Sequence, residues 1–171
     1  MANDNLPQSF EVVNPEQFTP KRFLVDASYT GKKGDMVFVE SAGYGSDANT
    51  NPMAGIQASG ILSVNSSVVE STGGTAGTSY IMVYDDRNII IRGQITTGAQ
   101  TDRYTTATST AGFDIAGTAG VQYIDAGQHS KDQVRILGPA IEKGTGKASA
   151  YGAYQKVLFQ MSNASHYTSQ V

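Results

Sequence analysis

The residues best equipped for chemistry are few and scattered. His129 and His166 are the only histidines, and neither has a second His, a Cys or a closely spaced acid pair near it in sequence to complete a metal shell. With no cysteine there is no thiolate nucleophile, thiolate metal site or disulfide framework. An activated serine would be helped by a Gly-x-Ser-x-Gly elbow, and the chain has none. Gly144-Thr145-Gly146-Lys147-Ala148-Ser149 has the outline of a phosphate-binding loop, but Ala148 stands between the lysine and the hydroxyl, and position 141, where the first glycine belongs, is Ile. It reads as a plain loop. Asp85 and Asp86 form the tightest acid pair. In a strand, adjacent side chains point to opposite faces, so the two would not converge as general acid and base. Asn65-Ser66-Ser67 and Asn163-Ala164-Ser165 match a glycosylation acceptor pattern that is common by chance. No residue is therefore assigned a catalytic, cofactor-binding or metal-binding role, and no cofactor is expected.

The charge pattern points away from nucleic acid. The formal net charge is -3, and between Lys33 and Arg87 no Lys or Arg occurs, whereas Asp35, Glu40, Asp47, Glu70, Asp85 and Asp86 all lie there. Phosphate neutralisation needs a basic footprint that this half of the chain lacks. No apolar run approaches the roughly 18 residues that span a bilayer, so no membrane partner is expected. Met1-Ala2-Asn3-Asp4-Asn5 carries neither a basic nor an apolar leader segment, so synthesis in the cytoplasm without a secretory signal is expected.

The elements that would position any site are strands. Hydrophobic residues make up 39% of 171, enough for a packed core, while the charged fraction of 16% falls below the roughly 25% of an average domain. Residues 1 to about 20 carry Pro7, Pro15 and Pro20 among polar residues and read as an extended arm, laid along a neighbour or frayed at its end. Residues 21–171 read as one β-domain. Met36 to Val39 is apolar on both faces and so belongs to a buried strand. From Ile56 to Val64, alternation sets Ile56, Ala58, Leu62 and Val64 against Gln57, Ser59 and Ser63. Val134 and Ile136 alternate with Gln133 and Arg135, and Val157, Phe159 and Met161 with Lys156, Leu158 and Gln160. Asp85-Asp86-Arg87-Asn88 reads as a tight hairpin turn. At most a turn or two of helix is expected near Pro139 to Lys143 or Ala148 to Tyr154. The fold class is all-β: a compact barrel or sandwich of eight or so short antiparallel strands with an extended N-terminal arm.

One family resembles this chain in order and spacing. Tyr84-Asp85-Asp86-Arg87-Asn88-Ile89-Ile90-Ile91-Arg92-Gly93-Gln94 is similar to the hairpin of tailed-bacteriophage head decoration, or capsid cement, proteins. Lys33 to Phe38 and Ala58 to Leu62 resemble that family's opening strands. Thr108 to Ile124, Asp132 to Gly138, and Tyr154 to Thr168 resemble its later loop, strand and closing segment. The chain departs from the pattern at Arg92 and Gly93, where the family often has an acidic and a β-branched residue. The resemblance, covering about Phe23 to Thr168, implies a non-enzymatic virion protein. Its partners would be the major capsid protein and further copies of itself, on the outer capsid surface. A phage tail or baseplate component would share the composition. A carbohydrate-binding module could use the nine tyrosines but lacks tryptophan for a stacking platform.

Overall fold

The computed structural model describes residues 9–49, 52–65, 69–99 and 112–162. Within them the chain is all-β, with antiparallel sheets and a single 3-10 turn at Pro15–Gln17. No helix among the described residues is long and apolar enough to cross a membrane.

One sheet is curled into a half-barrel. Its spine is β8 (Ser79–Tyr84), which pairs on one side with β2 (Lys21–Leu24) and on the other with both β5 (Met53–Gln57) and β6 (Ile61–Ser63). Beyond β5 lie β3 (Met36–Val39) and β4 (Gly45–Ser46), and β7 (Val69–Glu70) pairs with β6. The curl brings β4 back towards β2, where Val25 and Gly45 form a parallel bridge. A side chain at Gly45 would press at 3.1–3.2 Å on Val37, Phe23 and Val25, so glycine lets the two strands approach without displacing those side chains. Val25, Tyr29, Val37, Val39, Ile81 and Val83 fill the interior.

A second, larger core lies on the other side of β3. A four-stranded sheet, in the order β1 (Glu11–Val12), β9 (Ile91–Gln94), β15 (Lys156–Met161) and β13 (Val134–Pro139), turns one face towards it. Ile91, Val157, Phe159, Met161, Val134 and Ile136 from that sheet join a cluster containing Met36 and Phe38. The hairpin of β11 (Asp114–Ala116) and β12 (Tyr123–Asp125) adds Ile115 and Ile124. A small ribbon pairs β10 (Thr97–Gly98) with β14 (Gly152–Ala153). β3 is therefore the shared wall, buried on both faces as its unbroken apolar run requires.

Near Pro139 to Lys143 and Ala148 to Tyr154, where at most a turn or two of helix is expected, none forms: Ile141 bridges Ala148, and Gly152–Ala153 is a strand. Two expectations are corrected. The alternation from Ile56 to Val64 is broken at Ala58–Gly60. Both Ile56 and Gln57 are buried, and Ile61 rather than Leu62 faces the core. The break lets one continuous segment serve as two successive neighbours of β8. Finally, Asp85–Asn88 is a turn but not a hairpin turn. It leaves β8 in the half-barrel and enters β9 in the four-stranded sheet, so it crosses between layers.

Residues 9–18 do not hang free of the domain. β1 pairs with β9, placing Glu11 opposite Arg92, and Phe10 and Val12 lie in the larger core with Phe18 packed against it. Residues 1–8 of the expected arm lie outside the described residues.

Tyr29 gives the half-barrel a pH signature. Its ring is fully buried, and its hydroxyl donates to Gln57 Oε1 at 2.5 Å, while Gln57 Nε2 donates to the carbonyls of Gly31 and Ser59. Burial first, and then the negative charges of Asp35, Asp47 and Asp26, push the phenol well above its ordinary range near 10. As pH rises, the phenol of the unfolded chain ionises before that of the folded one. The stabilisation is whole below about pH 10 and is lost as pH climbs towards the folded value. Denaturant titrations should show wild-type stability falling above about pH 10 more steeply than Tyr29→Phe, which should itself lose about 1–2 kcal/mol at neutral pH. Equal alkaline slopes in the two proteins would rule this account out.

Candidate functional site

The residues singled out for chemistry are placed apart and given structural work. Asp85 accepts from Lys21 Nζ at 2.9 Å, whereas Asp86 Oδ1 accepts from the backbone N–H of Asn88 at 2.8 Å. The adjacent carboxylates thus fix a turn. His129 is exposed, with its ring against Phe113 at 5.0 Å and Nδ1 3.3 Å from the Gly112 carbonyl. Among the described residues no group of three His, Cys, Asp or Glu could hold a metal. The 144–149 stretch is the tip of a narrow loop: the N–H of Glu142 donates to the Lys147 carbonyl at 2.8 Å. Ser149 is buried and its Oγ accepts from the Lys156 N–H. No helix follows this loop to cradle a phosphate. His166, Asn163 and the Ser66-Ser67 that would complete the Asn65 acceptor pattern lie outside the described residues.

The polar groups that matter most for the architecture are ones sequence reading did not single out. The buried Asp35 carboxylate accepts from the hydroxyl of Ser9 and from the backbone N–H groups of Lys32 and Gly120, tying three distant segments together. Gln122 Oε1 accepts from the Met36 N–H at 2.6 Å, capping the shared wall β3 from beside β12. Gln133 accepts from Ile115 N–H and donates to Asn49 Oδ1. Within alternating strands such residues look like solvent-facing ones, and no local signal separates the two.

What remains open to a partner is surface. The four-stranded sheet turns its polar face outwards, with Arg92 opposite Leu158, Arg135 opposite Gln160, and Lys156 opposite Gln94. Arg92 and Lys143 both bind the Glu11 carboxylate. Partial burial pushes that carboxyl up, but the hydrogen bond from Lys143 and the charges of Arg92 and Lys143 prevail and hold it below the usual range. Since no Lys or Arg lies between Lys33 and Arg87, strands β3 to β8 carry no cation, whereas β9, β13 and β15 all do. Strand β2 of the half-barrel carries Lys21 and Arg22, and the other strand cations lie on the four-stranded sheet. Comparison with protein-family models, curated proteins and solved structures gave no match.

Proposed function

We propose that the chain is a structural virion protein that binds the outer surface of an assembled phage capsid and stabilises it by bridging major capsid protein subunits. The observation that carries this reading is the ordered sequence resemblance from Phe23 to Thr168. The all-β architecture agrees with the β-fold that the resemblance implies. Physics supports the role. A protein that binds only the junction between subunits stabilises the joined state by RT ln(1 + [L]/Kd), and many copies linked through the lattice add avidity. Neither a nucleic acid nor a membrane is needed as partner.

The complete site exists only where subunits meet, so isolated capsid subunits should not bind. Purified protein added to expanded heads that lack it should saturate at a fixed copy number set by lattice symmetry. Those heads should then release DNA at a higher temperature than undecorated heads. Co-purification with tails, or heads that neither bind the protein nor gain stability, would replace this reading with a tail or baseplate component.

A further inference from the structure

We infer that an open depression at one end of the four-stranded sheet is a binding site for a carboxylate side chain of a partner protein. It measures about 370 Å³ and is lined by Arg87 and Asn88 of the sheet-crossing turn, Arg135 of β13, and Gln160 and Met161 of β15. Arg135 and Gln160 lie directly opposite each other across the β13–β15 pair. Gln160 Nε2 donates to the Asn88 carbonyl at 3.3 Å, which ties the turn to the strand and fixes one wall in advance.

The other cations of this region are already engaged. Lys21 has Asp85, Arg92 and Lys143 share Glu11, Lys156 has Gln94 Oε1, and Arg22 lies over the Tyr80 ring at 4.3 Å. Among the described residues, the side chains of Arg87 and Arg135 are exposed and make no hydrogen bond, ion pair or ring contact. Two unmatched guanidiniums lining one depression repel each other until an anion enters, and each presents a planar fork that suits a carboxylate.

The depression suits a single carboxylate better than a nucleic acid. An extended polyanion would meet Asp85 and Asp86 immediately beside Arg87, on a chain whose net charge is -3. That the carboxylate belongs to a capsid subunit rests on the function proposed above; the chemistry of the site does not.

The test has two arms, each run with the full chain. In the first, isotope-labelled protein is titrated with a blocked hexapeptide of alternating Glu and Leu and followed by NMR. Shifts should centre on Arg87, Asn88, Arg135 and Gln160 and shrink as salt is raised. They should vanish in the double variant Arg87→Gln, Arg135→Gln once its circular dichroism matches wild type. A Gln-Leu peptide should leave the spectrum unchanged. Inorganic phosphate or duplex DNA binding at least as tightly as the Glu peptide would overturn the carboxylate assignment, as would shifts centred elsewhere or none. In the second arm, the double variant should bind undecorated heads at least about tenfold more weakly than wild type, while Arg22→Gln binds as wild type does. Wild type and double variant binding heads equally would overturn the site and leave the decoration reading intact. Wild type failing to bind heads, with the peptide arm positive, would remove that reading and leave the site.

Discussion

Phe10→Ala should cost about 3–5 kcal/mol of folding stability, the range for truncating a buried phenylalanine. In a domain of this length that is a drop in Tm on the order of 10 °C. The size of the effect follows from position. Phe10 is only 4% exposed and meets Phe159 edge-on, with ring centroids 5.1 Å apart. Its N–H donates to the Gly34 carbonyl at 2.8 Å, so the residue joins the four-stranded sheet to the turn before β3. Beneath the ring lies Gly93. A side chain there would meet Phe10 Cδ1 at 2.5 Å and Phe159 Cε1 at 3.0 Å. The two residues should therefore be coupled. Gly93→Ala alone should destabilise through overpacking by about 1–3 kcal/mol, yet cost much less in the Phe10→Ala background, where the vacated space accepts a methyl group. A double-mutant cycle by chemical denaturation measures this directly. A single-mutant loss below about 1 kcal/mol, or strict additivity of the two changes, would mean that residues 9–18 rest on the domain without belonging to its core.

The N-terminal strand also accounts for the residues at the middle of β9. Arg92 stands opposite Glu11 and binds its carboxylate, and Gly93 leaves room for Phe10. Sequence reading took that strand for an appended arm because proline and polar residues dominate it and β1 is only two residues long. A period of two cannot be detected in two residues.

Longer strands were legible. Val157, Phe159 and Met161 face inwards and Lys156, Leu158 and Gln160 are half-buried outside, as alternation predicts, and the same holds for Val134 and Ile136 against Arg135, whereas Gln133, expected outside with Arg135, is fully buried. Alternation reports the face of a strand but not its sheet, which is why the Asp85–Asn88 turn looked like a hairpin. Two apolar runs joined by a short acidic turn can pair with each other or continue into different layers. What decides here is long-range: β8 already has partners on both sides, and β9 is claimed by β1 and β15. The candidate site shares that limit. Arg135 and Gln160 are readable as outward residues, but their meeting with Arg87 depends on the crossing turn and on antiparallel pairing between segments over twenty residues apart.

Asp35→Ala should be about as damaging as the loss of Phe10, for an unrelated reason. Asp35 is 1% exposed, more deeply buried than Asp114 at 4% or Asp26 at 9%. Its carboxylate accepts from Lys32 N–H at 2.8 Å, from Gly120 N–H at 2.9 Å and 3.0 Å to its two oxygens, and from the Ser9 hydroxyl. Those donors belong to the residue leading into β1, the turn before β3 and the turn before β12. Alanine would leave them short of partners in a place water reaches poorly, at about 1–3 kcal/mol for each unsatisfied donor, giving a total of about 3–5 kcal/mol. Asp35→Asn separates shape from chemistry. It fills the same volume, but its amide nitrogen faces N–H groups that need an acceptor, so it should recover only a minor part of the loss. Hydrogen exchange supplies the second readout: the amides of Lys32 and Gly120 should lose protection in both variants, while that of Ile136, deep in the β13–β15 pair, changes only with global stability. If Asp35→Asn were as stable as wild type, the carboxylate would be a space-filler rather than the clasp joining these three segments.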